Sequence, residues 1–393
     1  MQATTESRRN ERPLRSWEKW FFGMRVGELP AALPGLVAAL GAAWIGGLLA
    51  SRIGAWLLAL QGIDPTSKAS PVSAITVAVI LGLLVANTTG LPSWLQPGLD
   101  LARNKVLRLG IVLVGLKLSI VDVLKVGSIG VPVVIALVAF ALLASLGIAK
   151  RLGVSRELGS LAAASTAICG ITATLAVAPV VRADEKEVAY TVANVTLFGL
   201  LGMLVYPYVA HALFGDASAA AGLFLGTAIH DTSQVMGAAL TYAEVFGDER
   251  ALQVATVAKL TRNALLVAVV PAIAILHARA AGTGETGKRP LRSYFPVFVL
   301  GFVALSILRT AGEIGLGEGG LALGLFSEER FRETTRLFGD RISSLALGTA
   351  LAAVGATTRL SVLKGLGPRP LFVGFGAALT VGLAAALSSA LLA

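Results

Sequence analysis

The first constraint on this chain is a succession of apolar segments, each about as long as the hydrocarbon core of a bilayer and joined by short polar connections. A helix needs about 20 apolar residues to cross that core. Such segments lie at 29–51, 71–88, 106–123, 131–149, 158–181 and 188–211, and then at 217–240, 252–277, 294–308, 342–358 and 370–392. The count is about eleven. With 55% hydrophobic and only 14% charged residues, against about 25% charged in a soluble domain, too little polar surface remains to cover a water-soluble core. The expected fold class is an all-α polytopic membrane protein: one transmembrane domain over 29–393, behind a basic tail over 1–28.

The net charge of +10 sits in the connections between apolar runs, not in a nucleic-acid-binding face. Loops rich in Lys and Arg stay on the cytoplasmic side, so the tail and N-terminus are expected in the cytoplasm and the chain in the cell (inner) membrane, with the lipid bilayer as its partner and no nucleic acid. A single cysteine excludes a disulfide framework and a cysteine-rich metal centre; no metal site and no cofactor are expected. Arg103, Lys105 and Arg108 read as a cytoplasmic cluster, Lys117 and Asp122 as groups near a membrane edge that contact each other or water, and Asn87 as a helix cap, none with a site role. Within 309–341, Phe331, Leu337 and Phe338 among charges suggest a helix resting on the membrane surface.

Internal repeats carry more information. STAICGITAT at 165–174 is answered by GTAIHDTSQV at 226–235. The segment after each also repeats, TVANVT at 191–196 against TVAKLT at 256–261, and a proline closes both, Pro207 and Pro271. A weaker echo links 107–125 to 345–364. The two TAI segments hold residues poorly suited to a lipid-facing helix, and irregular backbone survives at membrane depth only where protein buries it or it lines a cavity. Two broken or re-entrant segments meeting near the midplane are expected, as in transporters built from inverted repeats; re-entrant hairpins would also put Arg182 and Lys186 inside.

Candidate site residues follow from this arrangement. His230 and Asp231 lie deep in an apolar segment, where ionisable groups are costly and normally have a partner or a task; proton coupling and a structural pair both fit them. Gln234 shares their helical face. Lys259 and Arg262 share a face of the next segment, with Lys259 at the repeat position of Asn194. They either contact an anionic substrate, or snorkel to the interface or pair with Asp231. Ser165, Thr166, Cys169, Gly170 and Thr172 of the first TAI element, with Thr227 of the second, could offer hydroxyls and freed backbone N–H groups to an oxyanion. A Cys169–His230 hydrolase has no orienting motif behind it, so the chain is not expected to be an enzyme.

These motifs resemble the sulfate exporter (YeiH-type) family of bacterial membrane proteins. The resemblance rests on STAICG at 165–170, APVV at 178–181, EVA at 187–189, LFG at 197–199 with Tyr206-Pro207, the IH-acid-x-x-Q pattern at 229–234, ATVAKLTR at 255–262 and LRLGIVLVGLKLS at 107–119. The chain departs from it at Asp231, where glutamate is commoner, and at Thr232-Ser233, where small apolar residues are commoner. The resemblance implies an inner-membrane secondary transporter, similar to cation/proton antiporter folds. Sulfate or an organic sulfonate is the expected exported anion, and a homodimer the expected assembly. No GxxxxGK[ST] loop is present, so an ion gradient would drive it. The alternative is a cation/proton antiporter with Asp231 as the ion-binding carboxylate.

Overall fold

The computed structural model describes residues 24–66, 70–281, 296–317, 321–359, 361, 368–391 and 393; residues 1–23 of the expected tail lie outside them. The described chain is all helical apart from an isolated bridge between Ala322 and Phe326. In chain order the helices are α1 (Leu29–Leu60), α2 (Ala74–Thr88), α3 (Gln96–Leu101), α4 (Leu107–Val114), α5 (Ile120–Arg151), α6 (Arg156–Ala167), α7 (Ile171–Val181) and α8 (Glu185–Phe214). Then come α9 (Ser218–Ala228), α10 (Thr232–Phe246), α11 (Glu249–Ala264), α12 (Leu266–Ala281), α13 (Phe298–Gly317), α14 (Glu328–Arg336), α15 (Ser343–Thr357) and α16 (Pro368–Ala390).

The eleven apolar segments do not become eleven spanning helices. Six helices among the described residues are long and apolar enough to cross a bilayer, or seven if α11 and the first part of α12, bent by 40° where they meet, count as one. The shortfall has a physical cause. The segments at 158–181 and 217–240 are each divided into two helices, and α2, α7 and α9 have only 15, 11 and 11 residues. A window over sequence sums hydropathy across such breaks. The stretch read as a surface helix also differs: α14 runs through a π-helical turn (Leu337–Ile342) into α15, and Phe331 is buried against Gly312.

Contacts sort the helix ends onto two faces of the bundle. On the first face Ser155 Oγ donates to Glu187, His277 Nε2 lies 3.7 Å from Glu157, Arg103 donates to Thr357 Oγ1 at 3.3 Å, and Arg108 stacks over Phe298. On the opposite face Ser73 Oγ donates to Glu244 at 2.7 Å, Tyr242 Oη donates to the Gly215 carbonyl at 3.1 Å, and His211 stacks on Phe246 at 3.9 Å. The start of α6 and the end of α7 therefore share the first face, and the start of α9 and the end of α10 share the opposite one. Each broken pair is a hairpin, entered from opposite faces. Helix α8 runs between them, and α11 with α12 runs back.

Local chemistry explains the two breaks. At Gly170 the backbone takes φ +61°, a left-handed conformation open to glycine without a Cβ penalty. A Cβ there would also stand 2.7 Å from Val195 and 3.2 Å from the Asp231 carboxylate. At the second break Asp231 caps α10, its Oδ1 accepting from the Ser233 N–H at 2.9 Å and from Ser233 Oγ at 2.5 Å; short polar side chains favour such caps over helix interior.

Small residues set how closely the hairpins approach their neighbours. Gly222 and Gly226 face α11 so tightly that a Cβ would meet the Ala251 carbonyl oxygen at 2.5 Å and the Ala255 carbonyl oxygen at 2.7 Å. The surrounding frame uses the same device, Gly46 on Ala78 and Gly82 on the backbone at Gly355. A Gly226→Leu substitution is expected to force α9 off α11 and destabilise the fold by about 3 kcal/mol or more, measured as a fall in thermal midpoint of the purified protein; a surface Leu379→Ala change should leave it nearly unmoved.

Candidate functional site

A helix break leaves carbonyls without intrahelical partners, and at membrane depth each orphan costs about 1–3 kcal/mol. The two hairpin tips leave Thr166, Ala167 and Ile168 on one side and Thr227, Ile229 and His230 on the other. All six are answered from α11. Lys259 Nζ donates to the carbonyls of Ile168 at 2.9 Å, Ile229 at 3.3 Å and His230. Arg262 donates through Nε to Ala167 at 3.0 Å, through Nη1 to Thr227 at 2.6 Å and Ile229 at 3.1 Å, and through Nη2 to Thr166 at 2.6 Å. Both cations are buried, 1% and 2% exposed. They stand at the C-terminal ends of α6 and α9, where the helix dipoles favour positive charge.

This geometry redirects an expectation. Lys259 and Arg262 are interior, as the repeat suggested, but they neither snorkel nor pair with Asp231: their donors go to backbone, and neither lines the main cavity. Thr227 joins them only through its carbonyl, its hydroxyl donating to Leu223 O at 2.6 Å.

The remaining candidates divide between two spaces. A cavity of about 1670 Å³ reaches the hairpin tips at Cys169, Thr172, Asp231 and Gln234. Its floor includes the N-terminal turn of α10, with Thr232 and Ser233. Toward the first face it is lined by Arg103, Lys105, Arg108 and Arg359. Asp231 is the one carboxylate among the described residues that line it. Ser165, Thr166, Asn194 and His230 instead surround a small pocket of about 10 Å³ on the other side of the tips, with Thr191, room for one water-sized group. Asn194 Oδ1 and His230 Nδ1 are buried there without a hydrogen-bond partner among the described residues, while Asn194 Nδ2 donates to Pro370 O at 3.1 Å. Adjacent in sequence, His230 and Asp231 thus serve different spaces, and Cys169 and His230 do too. Gly170 holds the tip itself, where an added Cβ would meet Asp231. Gln234 Nε2 donates to Thr196 O at 3.1 Å.

Sequence reasoning missed the basic wall of the cavity. Arg103 and Lys105 lie in a π-helical turn (Ala102–Val106) and turn toward the cavity with Arg108. The signal was the echo between 107–125 and 345–364, since each of its helices, α4 and α15, follows a π-helical turn. Such turns cluster at functional sites. Lys117 does not pair with Asp122: it bridges Glu249 at 3.0 Å and Asp340 at 3.2 Å on the opposite face, while Asp122 accepts from Ser119 Oγ at 2.7 Å. Asn87 ties α2 to the end of α15, donating to Thr358 O at 2.8 Å. No cluster of metal-ligating side chains occurs among the described residues.

Removing Arg262 orphans buried carbonyls at both tips. Arg262→Met is expected to cost about 3–5 kcal/mol, seen as a lowered thermal midpoint or loss of monodisperse protein. Arg262→Lys, with three donors instead of five, should recover part of the loss.

Comparison with known proteins places the chain in a family of membrane proteins. The chain matches the family model described as conserved hypothetical protein 698 over residues 46–374. It is 30% identical over 365 residues to a UPF0324 membrane protein of Nitratidesulfovibrio vulgaris, covering 91% of this chain and 92% of that one. A UPF0324 membrane protein of Ralstonia nicotianae is 31% identical over 343 residues, 83% and 86% of the two chains. One of Corynebacterium glutamicum is 32% identical over 307 residues, 78% and 82%. No solved structure matches. The chain is thus a multi-pass membrane protein and belongs to the UPF0324 (conserved hypothetical protein 698) family.

Proposed function

We propose that this protein is a secondary active transporter, not an enzyme, that exports a small anion, sulfate or an organic sulfonate, driven by an ion gradient. One observation carries the reading: the cavity that ends on the hairpin tips is lined by four basic side chains and one carboxylate, with the N-terminal turn of α10 in its floor. A divalent anion losing its hydration needs fixed donors in exchange; helix N-terminal N–H groups, the hydroxyls of Thr172 and Thr232, and the guanidinium groups of Arg103 and Arg108 are of that kind.

Two hairpins entered from opposite faces, each followed by a long crossing element, support an inverted-repeat carrier working by alternating access. In this reading the cavity is open to the cytoplasm, its face carrying Arg103, Lys105, Arg108, Arg182, Lys186 and Arg359. The N-terminus is then cytoplasmic and the membrane the inner one. Lys117, bridged to Glu249 and Asp340, closes the far side. Asp231 takes the coupling proton, being the titratable carboxylate within reach of the solute.

The same carboxylate supports a second reading, a cation/proton antiporter in which Asp231 binds the cation. Radiolabelled sulfate flux in proteoliposomes under an imposed pH gradient separates the two. Gradient-driven flux is expected in the wild type, with at least a tenfold loss in Arg103→Gln/Arg108→Gln and loss of pH dependence in Asp231→Asn. Absence of sulfate or sulfonate flux, with proton movement triggered by Na⁺ or K⁺ and abolished in Asp231→Asn, would replace the anion carrier by the antiporter.

A further inference from the structure

Carriers with interrupted helices hold their coupling cations where unwound carbonyls and half-helix C-termini converge. Here that point is occupied by a side chain. Lys259 Nζ sits among the carbonyl oxygens of Ile168, Ile229 and His230, one from the first hairpin and two from the second. An ammonium has three hydrogens, and each has its acceptor. The contacts to Ile168 at 2.9 Å and Ile229 at 3.3 Å are N–H···O distances, longer than the roughly 2.0–2.6 Å at which small hard cations take oxygen ligands. The neighbouring carbonyls, where a second ion could be held, are filled by Arg262.

We propose that Lys259 is a tethered substitute for a coupling cation: the intact protein needs no Na⁺ or K⁺ at its hairpin tips, and truncating the side chain turns the carbonyl cage into a binding site for ammonium-type monovalent cations. The inference stands on the hairpin geometry alone and holds whichever solute is carried. Arg262 cannot cover for the loss, because four carbonyls already engage its donors at fixed positions. Asp231 does not compete for the ammonium either: its Oδ1 is held by Ser233, and it faces the cavity.

The test is thermal unfolding of the full-length purified protein, followed by tryptophan fluorescence, at constant ionic strength in choline, Na⁺, K⁺, ammonium, methylammonium or tetramethylammonium chloride. With Lys259 intact and Asp231→Asn removing the cavity carboxylate, the midpoint is expected to be the same in Na⁺, K⁺ and choline. The Lys259→Ala midpoint should lie lower and rise by about 2 °C in ammonium or methylammonium at ten times the Kd, with no rise in tetramethylammonium, which has no N–H. Lys259→Met, whose apolar chain fills the cage, should gain nothing from amines. If Lys259→Ala is not recovered folded, Lys259→Ser, equally short and leaving the cage open, takes its place with the same amine readout. A midpoint that climbs with Na⁺ over choline in the Asp231→Asn protein, where only the carbonyl cage remains to bind the ion, or a truncated variant indifferent to amines, would overturn the proposal. Neither result bears on sulfate flux, so the two readings fail separately.

Discussion

Six backbone carbonyls at the tips of two broken helices have no helical partner, and two side chains from one helix supply it. Much of the molecule depends on that exchange. Without Lys259 and Arg262 the breaks would bury bare acceptors, and hydrocarbon offers no water in return. With them, the hairpins can end in mid-bundle and leave the N-terminal turn of α10 and the side of α7 facing a cavity. The interaction is structural in cause and functional in effect, since it keeps irregular backbone at a depth where a solute can meet it.

Because both tips hang from α11, the two hairpins and that helix form one mechanical unit. Gly222 and Gly226 press α9 onto α11, and Asn263 ties the end of α11 to Thr232 at 3.2 Å. The frame of α1, α2, α3, α4 and α15 is held by its own close glycine contacts. Between frame and unit the polar ties are few. Lys117 to Glu249 is one, joining the turn after α4 to the start of α11, and Ser73 to Glu244 is another, joining the start of α2 to α10. Both lie on the face opposite the cavity. The bundle is thus laced shut on one face and hollow on the other.

The sequence made some of this legible. The positions of the breaks could be read, because Gly170 and the His230-Asp231 pair are residues an apolar helix does not carry by default, and because the repeat sets them in register. The interior placement of Lys259 followed from the same register. What could not be read was the target of its charge: a backbone carbonyl has no signature of its own, so a cation that serves one looks the same in sequence as a cation that awaits an anion. The basic wall of the cavity was hidden for a related reason. Arg103 and Lys105 turn inward through a π-helical turn, and a residue inserted into a helical turn shifts every face predicted beyond it. The pairing of Lys117 was hidden by distance, its partner Glu249 lying 132 residues on.

The order of synthesis adds a consequence. The first hairpin leaves the ribosome well before the residues that complete it: the carbonyls of Ile168, Ala167 and Thr166 await donors 91, 95 and 96 positions downstream. Its halves of 12 and 11 residues are too short to cross a bilayer singly. A nascent chain must therefore keep this segment wet or shielded while α8 and the second hairpin are made, and lower it into the bundle only when α11 arrives. Biogenesis of such a protein is a delayed folding event inside the membrane, and a stop codon anywhere between the first hairpin and Arg262 leaves a chain with a polar defect it has no means to close.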